Sequence, residues 1–147
     1  MMKTFLRNLG AAALGWVVMA ASSFVLPMGM WMVLGPEGSF RADGWDTSAV
    51  WNAGWIVVAV LGAAAGGFVC SRVAADRRGL WVLIAVMVVG GTLTALFYVP
   101  AGEGIRPADV GMFDAMASAR SPAWMGWTNL PLAALGAFFG GRIAEGG

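Results

Sequence analysis

The stretch "LGAAAGGFVCSR", residues 61–72, decides how this chain is read. It is apolar, its side chains are small, and no charge interrupts it before Arg72. Its frame returns as "LGAFFGG" at residues 135–141. A glycine-rich phosphate loop would end in Gly-Lys-Ser/Thr; neither copy does, and both fall inside apolar runs. Small residues four apart, Gly62 with Gly66 and Gly136 with Gly140, instead fit helices in lipid. There the hydrophobic drive between helices is weak, and close backbone approach takes its place. Gly67 and Gly141 extend each small face. Both copies are therefore expected to be helix-packing surfaces.

Composition points the same way. Hydrophobic residues make up 59% of the chain and charged residues 12%, with a mean hydropathy of +0.75. An ordinary soluble domain is roughly 45–50% apolar and about 25% charged, so lipid is the expected solvent. Crossing a bilayer takes about 20 apolar residues of helix. Four runs have that length: 9–34, which holds Pro27; 49–70; 80–99; and 122–141, which holds Pro131. Proline is tolerated in such a helix because neighbouring groups satisfy the freed carbonyl. The expected fold is all-α, a four-transmembrane-helix bundle making one integral membrane domain over residues 1–147.

Lys3 and Arg7 before "AAALGWVVMAASS" have the order of a signal peptide. Apolar character continues past Ser23 through "FVLPMGMWMVL", which suits a retained span better. Orientation follows from Lys and Arg in the short loops. Lys3, Arg7, Arg72, Arg77, Arg78 and Arg142 share one side with only Asp76 and Glu145. Arg41, Arg106 and Arg120 share the other with Glu37, Asp43, Asp46, Glu103, Asp109 and Asp114. Both termini and the "ADRRG" turn are thus expected in the cytoplasm, and the two longer loops outside. Trp31, Trp45, Trp51, Trp124 and Trp127 gather on the outer side, where amphipathic indoles serve as interface anchors.

The outer loops read differently. "GPEGSFRADGWDTS", residues 35–48, is a connector in which Asp46 or Thr47 could cap the next helix. After Pro107, "ADVGMFDAMASAR" places Val110, Phe113 and Met116 or Ala117 on one face, which predicts a short interfacial helix with Pro107 near its first turn. Internal matches suggest a duplicated helix hairpin. Phe24, Pro27 and Gly29 match Phe97, Pro100 and Gly102; Trp51 matches Trp124; and the glycine frame matches at nearly the same offset. Two-helix units repeated in tandem share orientation, with an axis along the membrane normal.

Recognisable chemistry is scarce. There is no His, which removes the commonest metal ligand and general base, and the single Cys70 can form no internal disulfide. No Asp, Glu, Lys or Arg falls in the middle of an apolar run, so proton-coupled transport is disfavoured. The polar residues there are Ser22, Ser23, Asn52, Thr92, Thr94, Thr128 and Asn129, expected to form interhelical hydrogen bonds. "PMGMWM" offers Met28, Met30 and Met32 as soft candidate ligands for Cu(I), although alternate residues of a helix do not share a face. No cofactor, no catalytic residue and no nucleic-acid partner is expected.

Three segments carry a family resemblance: "ARSPAWMGWTNLPLAALGAFFGGR", "GGFVCSR" and "RPADVGMFDAMASAR". They resemble a set of small four-helix bacterial inner-membrane proteins of unassigned function. The resemblance covers about half of the chain, implies a bacterial inner-membrane location, and transfers no activity. Membrane lipids are the expected surroundings, with a membrane-protein partner or self-association. The function expected first is an accessory or structural subunit of a larger membrane complex. The alternative is a small channel or transporter for an uncharged or weakly polar solute, with Thr92, Thr94 and Asn129 along its path.

Overall fold

The computed structural model describes residues 1–42, 44–98 and 102–146. These form five helices and, among the described residues, no strand beyond isolated bridges. The order is α1 (Met2–Ser39), α2 (Ala49–Val73), α3 (Arg78–Leu96), α4 (Met112–Ser118) and α5 (Ala123–Gly146). Three helices, α1, α2 and α3, are long and apolar enough to cross a membrane. At 24 residues α5 is also long. It is not among those three, because Trp124, Gly126, Trp127, Thr128, Asn129 and Pro131 dilute its apolar character.

Boundaries shift from the expected runs for local reasons. α1 starts at Met2 rather than near Leu9, since charged Lys3 and Arg7 are good helix formers and do not end a helix. It runs through the buried Pro27 and breaks at Gly35, whose φ of 61° only glycine adopts cheaply. Ser48, not Asp46 or Thr47, caps α2, its hydroxyl accepting from the Trp51 N–H at 3.1 Å. α3 ends at Leu96. The expected end of that run, Val99, and the matched Pro100 lie outside the described residues.

Packing centres on α2. It runs antiparallel to α1, with Gly15 against Gly66, Ser22 against Gly62 and Met30 against Gly54. α3 runs antiparallel to α5, with Leu80 against Gly141 and Leu130 against Gly91. α2 and α5 are parallel and make the most extensive contact in the molecule. Loops gather at one end. At the other lie the start of α1, the α2/α3 turn and the end of α5. Here Asn8 is buried. Its amide donates to Asp76 Oδ1 at 2.8 Å, and its Oδ1 accepts from the Ala75 N–H at 2.9 Å.

The α2/α5 seam is reciprocal. A Cβ at Gly67 would strike the Ala137 carbonyl, and one at Gly140 would strike the Ala64 carbonyl. The two contacts interconvert when both partners shift by 73 residues, 67 to 140 and 64 to 137. Ala63 and Gly136, which the same shift relates, face each other. The written repeat, aligning 61–67 with 135–141, is therefore one residue out of step with the packing. The first helices do not follow this symmetry. Phe24, Pro27 and Gly29 lie within α1, whereas Phe97 is already past the end of α3 and Gly102 belongs to a loop.

Candidate functional site

The loops do not hang separately. The Thr47 N–H donates to the Arg120 carbonyl at 3.1 Å, and the Arg120 N–H donates to the Trp45 carbonyl at 2.8 Å. Trp45 Nε1 donates to the Glu103 carbonyl at 3.1 Å. Gly102 passes so close over Trp45 and Ser118 that any side chain there would clash. Residues 40–42, 44–47 and 102–120 thus form one cap over the end of α1 and the start of α2. Its centre is aromatic: Phe40 lies edge-on to both Trp31 and Trp45, with centroids 6.2 and 6.0 Å apart. Trp31 continues to Trp51 at 6.3 Å, and Trp51 stacks on Trp55 at 6.4 Å.

A cation is enclosed in this cap. The Arg106 side chain is 3% exposed and reaches Glu37 Oε1 at 3.3 Å, while Glu37 itself is 80% exposed. The guanidinium lies over the Phe40 ring at 5.2 Å, so the ring face stands in for part of the lost water. Its Nε has no hydrogen-bond partner. Neither Arg106 nor Phe40 was singled out from sequence, because a loop arginine reads as solvated until the fold shows what covers it.

Beside the cap, a cleft opens between the first turns of α2 and α5. Its upper part, 370 Å³, is lined by Arg41, Asp46, Thr47, Arg120 and Ser121. The lower part, 260 Å³, is lined by Ala49, Asn52, Ala53 and Ile56; Arg41, Pro122 and Trp124 border both. Thr47 and Asn52 brace the wall through a buried hydrogen bond of 2.7 Å. Arg120 Nε stands 3.8 Å from Asp46 Oδ1, an ion pair without a hydrogen bond, and is buried with no hydrogen-bond partner.

The residues singled out from sequence fall in separate places. Gly62 and Gly66 face α1, Gly67 and Gly136 face across the α2/α5 seam, Gly140 does the same, and Gly141 meets Leu80 of α3 and Ser71 of α2. Of the aromatic residues, Trp45 and Trp51 are buried in or beneath the cap and Trp31 is partly so, while Trp124 and Trp127 are exposed. Met30 packs on Gly54, whereas Met28 and Met32 lie on the exposed side of α1. The three thioethers do not converge, as the helical period dictates.

Two expectations are corrected. Ser22, Ser23, Thr92 and Thr94 donate to carbonyls four residues back, at 2.8, 2.9, 2.7 and 3.0 Å, and so do not join helices. A helical hydroxyl always has that acceptor within reach, which makes it an easy competitor. The short helix α4 starts at Met112, with Pro107 well before it. Its buried residue is Ala115, while Phe113 is exposed. Val110 packs against the aromatic cluster from just outside the helix.

At the opposite end, Arg77 donates to Glu145 through Nε at 2.9 Å and through Nη2 at 2.6 Å. The hydrogen bond to Glu145 raises the Arg77 pKa above its ordinary value. Any stability this adds is therefore present at all ordinary pH and lost only under strongly alkaline conditions. Compared with known proteins, the chain matches no family model, no curated protein and no solved structure.

Proposed function

We propose that the chain is a four-span membrane protein that acts as an accessory or structural subunit, packing α3 against a larger membrane protein. The observation that carries this reading is the state of α3. Its buried residues, Gly79, Leu80 and Leu83, all lie in its first two turns. Beyond them Val86, Val89, Leu93 and Leu96 are exposed, and Gly90 has open space where a side chain would be. An open small-residue notch on an apolar helix is where another helix approaches closely in lipid.

The depth of α5 supports a fourth span. α5 lies parallel to α2 with Gly67 beside Ala137 and Ala63 beside Gly136, so a membrane that contains α2 contains α5 at the same level. The basic end, with Lys3, Arg7, Arg72, Arg77, Arg78 and Arg142, faces the cytoplasm under the charge rule, and the loop cap faces outward. A bacterial inner membrane suits this arrangement. The channel alternative finds less support. Backbone contacts fill the α2/α5 seam, and Thr92 and Thr94 are satisfied by their own helix rather than turned into a shared path.

Mild detergent extraction with identification of co-purifying proteins tests the subunit reading when wild type is compared with Gly90→Leu. A defined membrane partner, lost in Gly90→Leu while the variant keeps wild-type stability, is the expected result. Recovery of both forms as a lone monomer, together with solute flux in liposomes, would overturn it.

A further inference from the structure

We infer that the cleft between the first turns of α2 and α5 is a binding site for one anionic phospholipid, its phosphate held by Arg41 and Arg120. The inference rests on the membrane reading above. Its first support is the division of the cleft. The upper part presents two guanidinium groups against one carboxylate among its described lining residues, with Thr47 and Ser121 beside them. The lower part is formed by Ala49, Ala53, Ile56 and Trp124, with Asn52 as its one amide. Arg41, Pro122 and Trp124 border both, so head and tail of one amphiphile fit a continuous surface.

The second support is Arg120. Its Nε is buried without a hydrogen-bond partner, and its carboxylate neighbour stands off at 3.8 Å. Nε itself is closed to a ligand, but the side chain is 35% exposed and lines the cleft, so the open part of its guanidinium can take a phosphate oxygen there as a charge-assisted partner. α2 and α5 both begin here, so their positive ends add to the attraction for an anion. A free phosphate would use only the upper part. The exposed Val50, Val57 and Trp127 flanking the two helices lead from the lower part onto the apolar surface, which an acyl chain can follow.

Native mass spectrometry of the full-length protein in neutral detergent tests this. The probes are phosphatidylglycerol, phosphatidylcholine of the same acyl chains, and inorganic phosphate as competitor. Wild type should retain one phosphatidylglycerol at about tenfold lower concentration than phosphatidylcholine, which offers the same phosphodiester but brings a trimethylammonium group that the two guanidinium groups repel. Arg41→Gln with Arg120→Gln should lose that preference, and Arg72→Gln at the far end should keep it. Ile56→Trp, which leaves the arginines in place and fills the lower part, should lose it too. Equal retention of both lipids by wild type, or an unchanged preference in both cleft variants, overturns the proposal. Displacement by inorganic phosphate at equal concentration overturns it in favour of a soluble anion. A protein that sediments with membranes yet shows no lipid preference sinks this inference alone; one that stays in the soluble fraction sinks the membrane reading as well.

Discussion

Glycines in this chain are not equivalent, and what stands opposite each one separates them. Opposite Gly140 is the Ala64 backbone, which cannot move aside, whereas Gly90 has nothing within 4 Å. Gly140→Ala should therefore destabilise the detergent-solubilised protein by about 1–3 kcal/mol, the usual cost of overpacking. Gly90→Ala should be neutral or stabilising by up to ~1 kcal/mol from helix propensity. Denaturant titration followed by tryptophan fluorescence checks both, and equal effects would refute the seam. Asn8 makes a second case at this scale. It is 5% exposed and binds both Asp76 and the Ala75 N–H, which water can reach, so Asn8→Leu should cost about 1–3 kcal/mol, from about 0.5–1.5 kcal/mol for each of the two hydrogen bonds lost. Its position before the first apolar run gave no hint of this. The small size of Gly62, Gly66 and Gly136 was legible in the sequence; which neighbour each one meets was not, because one residue of helix turns the contact through 100°.

Among the elements, the long helices were readable and the cap was not. Apolar runs and their charged limits located α2 and α3 to within three residues and α5 to within five, since solvent preference acts on every residue of a run, but α1 begins seven residues before its run and ends five after it. The cap depends on a few pairings distant in sequence, such as Thr47 with Arg120 and Trp45 with Glu103, and no local pattern announces them. Arg106 shows how such a cap is held. Its partner Glu37 is 80% exposed, so removing the cation leaves a carboxylate that stays hydrated. Arg106→Met, which keeps the apolar stem, should change stability by less than about 1 kcal/mol. Phe40→Ala removes the ring over which the cation sits and should cost about 3–5 kcal/mol. Thermal unfolding of the two variants would test the pair, and the reverse order would show that the ion pair, not the ring, holds the cap.

For the whole molecule, the two ends differ in charge and in build, and the orientation proposed above has a direct readout. In a Cys70→Ser background, Arg41→Cys should react with a membrane-impermeant thiol reagent on intact spheroplasts. Arg72→Cys should react only after permeabilisation, and the opposite pattern would invert the topology. The α2/α5 seam carries a different consequence. Its contacts run between two hairpins and, at Gly67 and Gly140, are made by backbone against backbone, so covalent continuity between α2 and α3 is not what keeps the halves together. The protein should behave as a split pair. Fragments 1–76 and 77–147, expressed from separate messages, should reassemble in the membrane and co-purify, and Gly140→Leu in the second fragment should abolish their complementation.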